Sequence, residues 1–288
     1  VAAIGSQTGG SITRPASYCG VAGCKPTFGR VSGDGVLPLS PSMDHPGPMA
    51  RCVRDLAILL QIIAGPDPRD PLCADRPVPD YAAALNKPLA APRFGRVRGL
   101  FDDLADPPVR SLVNQVTDRL RSRGATVTEV ALPAGFADVI PRHRMVMAVE
   151  GAAYHGDRLR RHPEDYPPKV RALLEEGLAC LANEYARCKE HQRQLSRETL
   201  VCFNDVDVLL TPATTGPAPD TSTTGNPAFN SPWSYTGLPT VSFPVGRSPE
   251  GLPLAIQLVG RPWGEADLFA AALWCEQQIG LELPEPPA

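Results

Sequence analysis

The densest group of residues able to do chemistry lies near the start of the chain, where residues 5–16 read GSQTGGSITRPA. Two glycines directly before Ser11 let the backbone adopt conformations that other residues resist, and they allow N–H groups to approach a ligand closely. If Ser11 attacks a carbonyl carbon, the amides of Thr8, Gly9 and Gly10 and its own amide could stabilise the resulting oxyanion. The segment predicts a serine nucleophile with Thr8, Gly9 and Gly10 as its oxyanion hole.

Other interpretations of this loop have less support. A glycine turn that only connects two elements is the structural alternative. A phosphate-binding loop is disfavoured because no lysine follows the glycines and no G-x-G-x-x-G opens a helix. A Ser-His-Asp hydrolase has five histidines available but neither a G-x-S-x-G nor an S-x-x-K motif. The histidines, which we interpret as structural, surface or pocket-wall residues, are His45, His143, His155, His162 and His191.

The wider context of the loop resembles a known family. Residues 5–31, GSQTGGSITRPASYCGVAGCKPTFGRV, closely resemble the signature of the amidase signature family of Ser–cis-Ser–Lys amidohydrolases. The likeness continues through SMDHPGPM at 42–49 and through 205–212, 237–239 and 251–260. It implies an α/β/α sandwich around a mixed sheet. It also implies hydrolysis of a linear carboxamide through an acyl-enzyme on Ser11, with no cofactor and no metal.

The chain departs from the family in its catalytic base. The family's lysine and bridging cis-serine both precede the nucleophile, but only ten residues precede Ser11 and none is a lysine. Ser6 does not lie in the family's Gly-Ser-Ser-Gly-Gly loop, and Lys25, within a Lys-Pro-Thr segment, reads as structural. Many members also have Asp where this chain has Gln7. We therefore expect a chain truncated at its N-terminus that holds one third of the triad.

Two other functions stay open. One is the glutaminase-type subunit of an aminoacyl-tRNA amidotransferase, and the other is a truncated, catalytically inactive relative. Residues 227–233 contain no acidic side chain of the kind that such a glutaminase uses to hold the glutamine amino group, which favours a simple amidase. The same region contains three aromatic residues, Phe229, Trp233 and Tyr235, whose spacing is most typical of a hydrophobic core. The alternative is that Phe229 and Trp233 line an apolar substrate pocket.

Hydrophobic spacing predicts an α/β fold in a single domain over 1–288. A helix is expected from Val53 to Ala64, and a strand–helix–strand unit follows it. Residues 142–200 should be mostly helical and could cover the cleft. The predicted strands are 94–100, 127–130, 206–210, 240–245 and 254–259, with helices at 112–120 and 267–279 and a surface connection at 66–92.

Composition limits the partners. The chain has 28 basic and 31 acidic residues, a net charge of −3, so electrostatic binding of nucleic acid is not expected. Eight scattered cysteines without metal spacing indicate free thiols in a reducing cytoplasm. No apolar run is long enough for a membrane helix. A small-molecule amide is the expected substrate, and a homodimer stays open.

Overall fold

The computed structural model describes residues 2–86 and 91–279. Eight strands within these ranges form one mixed sheet. The strand order is β1-β3-β2-β7-β8-β6-β4-β5. Strand β4 is parallel to β5 and β6, and the other pairs are antiparallel. The strands are β1 Ala3–Gln7, β2 Ala22–Lys25, β3 His45–Ala50, β4 Arg93–Val97, β5 Thr126–Val130, β6 Val208–Pro212, β7 Thr240–Arg247 and β8 Pro253–Val259.

Helices connect the strands and cover both faces of the sheet. They are α1 Thr13–Tyr18, α2 Val53–Ile63, α3 Tyr81–Ala84, α4 Leu100–Asp103, α5 Pro107–Ser122, α6 Val139–Arg161, α7 Pro168–Ala179, α8 Ala182–Glu198, α9 Ser231–Tyr235 and α10 Glu265–Ile279. The helices expected at 53–64, 112–120 and 267–279 and the helical segment 142–200 are confirmed. The strand expected over 94–100 ends at Val97, because Leu100 begins α4. Residues 87–90 of the predicted connection lie outside the described residues.

Two hydrophobic clusters flank the sheet and explain its layers. One packs α2, α5 and α10 against one face through residues such as Leu56, Val116 and Phe269. The other contains Phe101, Val146 and further residues of α4, α6, α8 and α9. Because apolar side chains fill both faces, the sheet lies between helical layers. The predicted α/β/α sandwich around a mixed sheet is confirmed.

Strand β3 carries the sequence HPGPMA, which does not read as a strand. Its prolines, Pro46 and Pro48, face β1 in the register, whereas β2 pairs only with Met49 and Ala50. Proline lacks an N–H, so it is tolerated where the missing donor is not needed by a second neighbour. Gly47 lets β2 approach, since a Cβ there would lie 2.2 Å from the carbonyl oxygen of Cys24. This packing places β1, and the loop that follows it, at one end of the sheet.

Helices α6, α7 and α8 pack together in the 142–200 segment. Helices α6 and α7 touch closely at Gly177, where a Cβ would lie 1.9 Å from the Ala148 carbonyl oxygen. Helix α6 carries His143 to the loop after β1 and Glu150 to the turn before β3. In the ranges described, no helix is both long and apolar enough to cross a membrane.

Candidate active site

The loop between β1 and α1 brings the four residues predicted from the sequence together. Strand β1 ends at Gln7 and α1 begins at Thr13, so the intervening turn contains Thr8, Gly9, Gly10 and Ser11. Gly10 is buried and Gly9 half-buried, whereas Ser11 is exposed. The buried side of the loop is thus held by the protein while the serine faces outward.

The Gln7 side chain joins the start of the loop to its end. Its side chain is fully buried, and its Oε1 accepts hydrogen bonds from the N–H groups of Ile12 and Thr13, both at 2.9 Å. Its Nε2 donates to Ser234 Oγ at 3.3 Å. A carboxylate at this position could accept the first two bonds but could not donate the third. The glutamine therefore ties the loop to α9 as well as to the start of α1.

Gly10 is needed because Asn230 packs directly beneath it. A Cβ on Gly10 would lie 2.8 Å from Asn230 Oδ1. Asn230 cannot withdraw easily, because its buried Nδ2, which has two hydrogens to donate, lies 3.0–3.2 Å from Thr13 Oγ1, the Ala213 carbonyl oxygen and Gln257 Oε1. Packing against Asn230 therefore requires a glycine at this position.

Each of three successive carbonyl oxygens in the loop has a hydrogen-bond partner. His143 Nε2 lies 2.9 Å from the Thr8 carbonyl oxygen, Ser234 Oγ donates to that of Gly9 at 3.2 Å, and the Arg14 N–H donates to that of Gly10 at 3.0 Å. By contrast, none of the N–H groups of Gly9, Gly10 and Ser11 donates to an atom within residues 2–86 and 91–279. Three successive amides beside an exposed hydroxyl are therefore available for a ligand.

Asp44 holds the side chain of Thr8. The Thr8 hydroxyl donates to Asp44 Oδ1, while Asp44 Oδ2 accepts from the N–H groups of Leu39 and Ser40 at 2.8 and 2.9 Å. Burial raises the pKa of the Asp44 carboxyl, and these three hydrogen bonds oppose the rise. Asp44 lies within the SMDHPGPM segment, so that part of the sequence likeness is explained by a contact with the loop.

A cluster around Glu150 fixes the turn that carries Asp44. The Glu150 carboxylate accepts hydrogen bonds from the hydroxyls of Ser40, Ser42 and Tyr185 at 2.6–2.9 Å, and Lys189 Nζ lies 3.4 Å away. Burial acts to raise the pKa of Glu150, but the hydrogen bonds from Ser42 and Ser40 outweigh it, and the pKa is lowered. No sequence motif indicates this cluster, because its members come from a turn and two separate helices.

Lys25 has the structural position expected from the sequence. Its side chain is fully buried, and its Nζ donates to the carbonyl oxygens of Leu238 and Pro26 at 2.6 and 3.2 Å. Burial lowers the pKa of Lys25 to about 7. Because its Nζ contacts these two backbone carbonyl oxygens and not Ser11, Lys25 is not placed to serve as the base for Ser11.

The histidines do not form a charge-relay triad with Ser11. His45 is fully buried, with its Nδ1 near the carbonyl oxygens of Met43 at 2.5 Å and Gln7 at 3.3 Å. His143 contacts the Thr8 carbonyl oxygen, so it serves the loop backbone instead of the serine hydroxyl. Desolvation lowers the pKa of both imidazoles and keeps them neutral. The contact of His143 with the loop is the feature that sequence reasoning missed.

The aromatic residues before β7 belong to the core. Phe229 and Trp233 have no exposed surface. Phe101 packs between them, with ring centroids 5.1 Å from Phe229 and 5.7 Å from Trp233. The alternative that these two residues line an apolar pocket is therefore wrong. Their bulk instead supports α9, from which Ser234 reaches the loop.

A cavity lies beside the turn that carries Asp44. It has a volume of about 540 Å³ and is lined mainly by residues within 28–46 and 69–72, with Ser6 and Tyr154, but not by Ser11. All eight cysteines are unpaired. Within the described ranges, no three His, Cys, Asp or Glu side chains gather into a group that could hold a metal ion.

Comparison with known proteins places the chain in a family. The sequence model of the family described as Amidase matches residues 1–269. An amidase of Pseudomonas putida is 39% identical over 290 residues, which cover 96% of this chain and 62% of that protein. The A-type subunit of the glutamyl-tRNA(Gln) amidotransferase of Prochlorococcus marinus (strain MIT 9303) is 34% identical, covering 99% of this chain and 65% of its own length.

Solved structures agree with the sequence comparisons. An inhibitor-bound complex, described as a vestigial complex that reveals the origins of an s-triazine catabolic enzyme, superposes with a TM-score of 0.88 at 32% identity. A crystal structure of an amidase superposes with a TM-score of 0.84 at 32% identity. Each superposition covers 97% of this chain and 63% of the other, so this chain spans less than two thirds of these relatives. By sequence and by fold, the chain belongs to the amidase signature family.

Proposed function

We propose that this chain carries the nucleophile and oxyanion hole of an amidase that hydrolyses a carboxamide to a carboxylate and ammonia or an amine. The observation that carries this proposal is the exposed Ser11 beside the three unbonded N–H groups of Gly9, Gly10 and Ser11. Preorganised donors of this kind stabilise a developing oxyanion, and each is worth about 3–4 kcal/mol in measured hydrolases.

The reaction would proceed through an acyl-enzyme. Ser11 Oγ loses its proton and forms a bond to the carbonyl carbon, and the negative charge moves to the carbonyl oxygen, which the loop amides bind. The carbon–nitrogen bond then breaks, and the leaving nitrogen takes a proton as ammonia or an amine. Water attacks the acyl-enzyme in the same way, releases the carboxylic acid and restores Ser11.

The base that accepts the Ser11 proton is the part of the proposal that rests on family resemblance. In the family, a neutral lysine acts through a bridging serine, and no residue between Val1 and Ser11 matches either of them. The Nζ of Lys25 contacts two backbone carbonyl oxygens and not Ser11, which argues against Lys25 as the base. The proposed mechanism therefore requires a lysine and a bridging serine that the described residues 2–86 and 91–279 do not place beside Ser11.

The residues beside the loop favour a neutral amide as substrate. Pro227, Asn230 and Ser231 lie against Gly9 and Gly10, and none of them is charged. This wall offers no carboxylate for an amino group, which supports a simple amidase over the glutaminase of an amidotransferase. The free cysteines support a reducing cytoplasm as the compartment. A small-molecule amide, and at most a second copy of the chain, are the proposed partners.

The experiment that tests this proposal is covalent labelling of Ser11 by a fluorophosphonate probe, read out by intact mass, with Ser11→Ala as control. It is performed on this chain and on the same chain preceded by a family N-terminal segment that carries the lysine and the Gly-Ser-Ser-Gly-Gly loop. We expect labelling of the extended chain, release of ammonia from small neutral amides, and loss of both in Ser11→Ala.

Other outcomes contradict parts of the proposal. Labelling of neither chain favours the catalytically inactive relative. Equal labelling of both chains means that a base lies within these 288 residues, against the argument from Lys25. Strong preference for free glutamine over apolar amides, together with capture of a stable amidotransferase complex, identifies the glutaminase of an amidotransferase instead.

A further inference from the structure

The histidine that contacts the nucleophile loop has a role that the family assignment does not provide. His143 lies on α6, and its Nε2 is 2.9 Å from the carbonyl oxygen of Thr8, 135 residues earlier in the chain. A carbonyl oxygen can only accept, so the imidazole must carry its proton on Nε2. Burial lowers the pKa of His143 and keeps the ring neutral.

The contact acts on the peptide group that contains the Gly9 N–H. The Thr8 carbonyl and the Gly9 N–H belong to one planar trans peptide, so they point in opposite directions. A donor fixed on the oxygen therefore fixes the direction of the N–H. It also withdraws electron density from the amide, which makes that N–H a stronger donor.

The next two peptide groups of the loop are held in the same manner. Ser234 Oγ donates to the Gly9 oxygen, which shares a peptide with the Gly10 N–H, and Ser234 in turn accepts from Gln7 Nε2. The Arg14 N–H donates to the Gly10 oxygen, which shares a peptide with the Ser11 N–H. Each of the three unbonded amides thus has a donor on its own carbonyl, and only for Gly9 is that donor a titratable side chain.

We propose that His143 is a positioning residue for the reaction, which orients and polarises the Gly9 N–H through the Thr8 carbonyl without touching the substrate. The inference rests on the proposed function, since it assigns a role to one amide of the oxyanion hole. It differs from a charge-relay role because Ser11 and His143 exchange no proton. The neutral Nε2–H donor is the only property of the ring that the role requires.

The variants follow from this requirement. His143→Leu removes the donor, whereas His143→Gln keeps an N–H at a similar reach. His191→Leu is the matched control, because His191 Nε2 also lies 3.1 Å from a backbone carbonyl oxygen, that of Gly135, while its Nδ1 contacts the Tyr235 hydroxyl and not an atom of the loop. A merely structural role for His143 predicts that stability and labelling fall together in both histidine-to-leucine variants.

The first measurement does not depend on activity. Labelling threonine with carbonyl ¹³C and glycine with ¹⁵N restricts an HNCO spectrum to the four Thr–Gly pairs of the chain, at 8–9, 215–216, 224–225 and 236–237. His143→Leu should shift the Thr8–Gly9 cross-peak and leave the others in place. His143→Gln should return it toward the wild-type position, and His191→Leu should not move it.

The second measurement is the rate of fluorophosphonate labelling of Ser11 in the extended chain. We expect His143→Leu to lower the limiting labelling rate at least about tenfold, because the variant weakens only the binding of the oxyanion. The probe concentration that gives half of the limiting rate should change by no more than about twofold. The Gln variant should recover most of this loss. An unmoved Thr8–Gly9 cross-peak, or wild-type labelling by the Leu variant, overturns the inference. If the wild-type extended chain is not labelled, the proposed function fails, and the cross-peak alone decides whether His143 holds the peptide.

Discussion

The half-buried carboxyl group of Glu276, between α10 and α2, should contribute a fall in the free energy of unfolding as the pH rises. Glu276 accepts the N–H of Val53, the first residue of α2, at 3.2 and 3.4 Å. Burial raises the pKa of Glu276 from 4.5 to about 7; the Asp55 carboxylate adds to the rise and the Val53 hydrogen bond opposes it. The folded protein therefore holds a proton on Glu276 over a range where the unfolded chain has lost it.

The sign and size follow from proton linkage. Between pH 4.5 and about 7 the folded state binds more protons at Glu276 than the unfolded state, so the free energy of unfolding falls as pH rises. At about 1.36 kcal/mol for each pH unit, the difference between the two pKa values gives a ceiling of about 3.4 kcal/mol. The free energy of unfolding has already fallen by about 0.8 kcal/mol of this ceiling at roughly pH 5. It falls by a further amount of about 2.5 kcal/mol between roughly pH 5 and 8.

Glu276→Gln removes this dependence, because its amide oxygen can still accept from Val53 but does not titrate. We expect urea unfolding to show the variant gaining about 2.5 kcal/mol relative to the wild type between roughly pH 5 and 8. Glu175→Gln is the matched control, since Glu175 pairs with Arg171 on the surface of α7 and such pairs contribute little. Parallel stability curves for wild type and Glu276→Gln would refute the reasoning.

Two further predictions concern packing and thiol reactivity. Gly10→Ala should lower the free energy of unfolding by about 1–3 kcal/mol, because the new Cβ meets the immobile Asn230. Gly33→Ala is the control and should change it little, because its Cβ would lie 3.6 Å from Asp70 Oδ2. Equal losses for the two variants in urea unfolding would contradict this prediction. Among the cysteines, the exposed Cys19 should react with a colorimetric disulfide reagent within the mixing time, and the fully buried Cys24 and Cys275 only as the protein unfolds. Rapid modification of either buried thiol in the native protein would show that the core opens.

The sequence was most informative where local pattern and local structure coincide. Helices α2, α5 and α10 follow from apolar spacing, and Gly65 and Gly124 follow the ends of α2 and α5, so the existence of these helices was predictable. The loop around Ser11 was equally predictable, since two glycines before a serine form a local motif that needs no knowledge of distant contacts. Strand β3 was not, because Pro46 and Pro48 break the strand pattern and are tolerated only through the register with β1.

By itself, then, the sequence determined the layered α/β class and the family and indicated the loop that we propose carries the nucleophile, because these depend on short-range pattern. Only the tertiary structure decided what holds that loop. The partners of Thr8 and Gly9, namely Asp44, His143 and Ser234, come from a turn and two helices between 36 and 225 residues away. Such contacts have no sequence period, since a buried carbonyl needs a donor but does not specify where in the chain the donor lies.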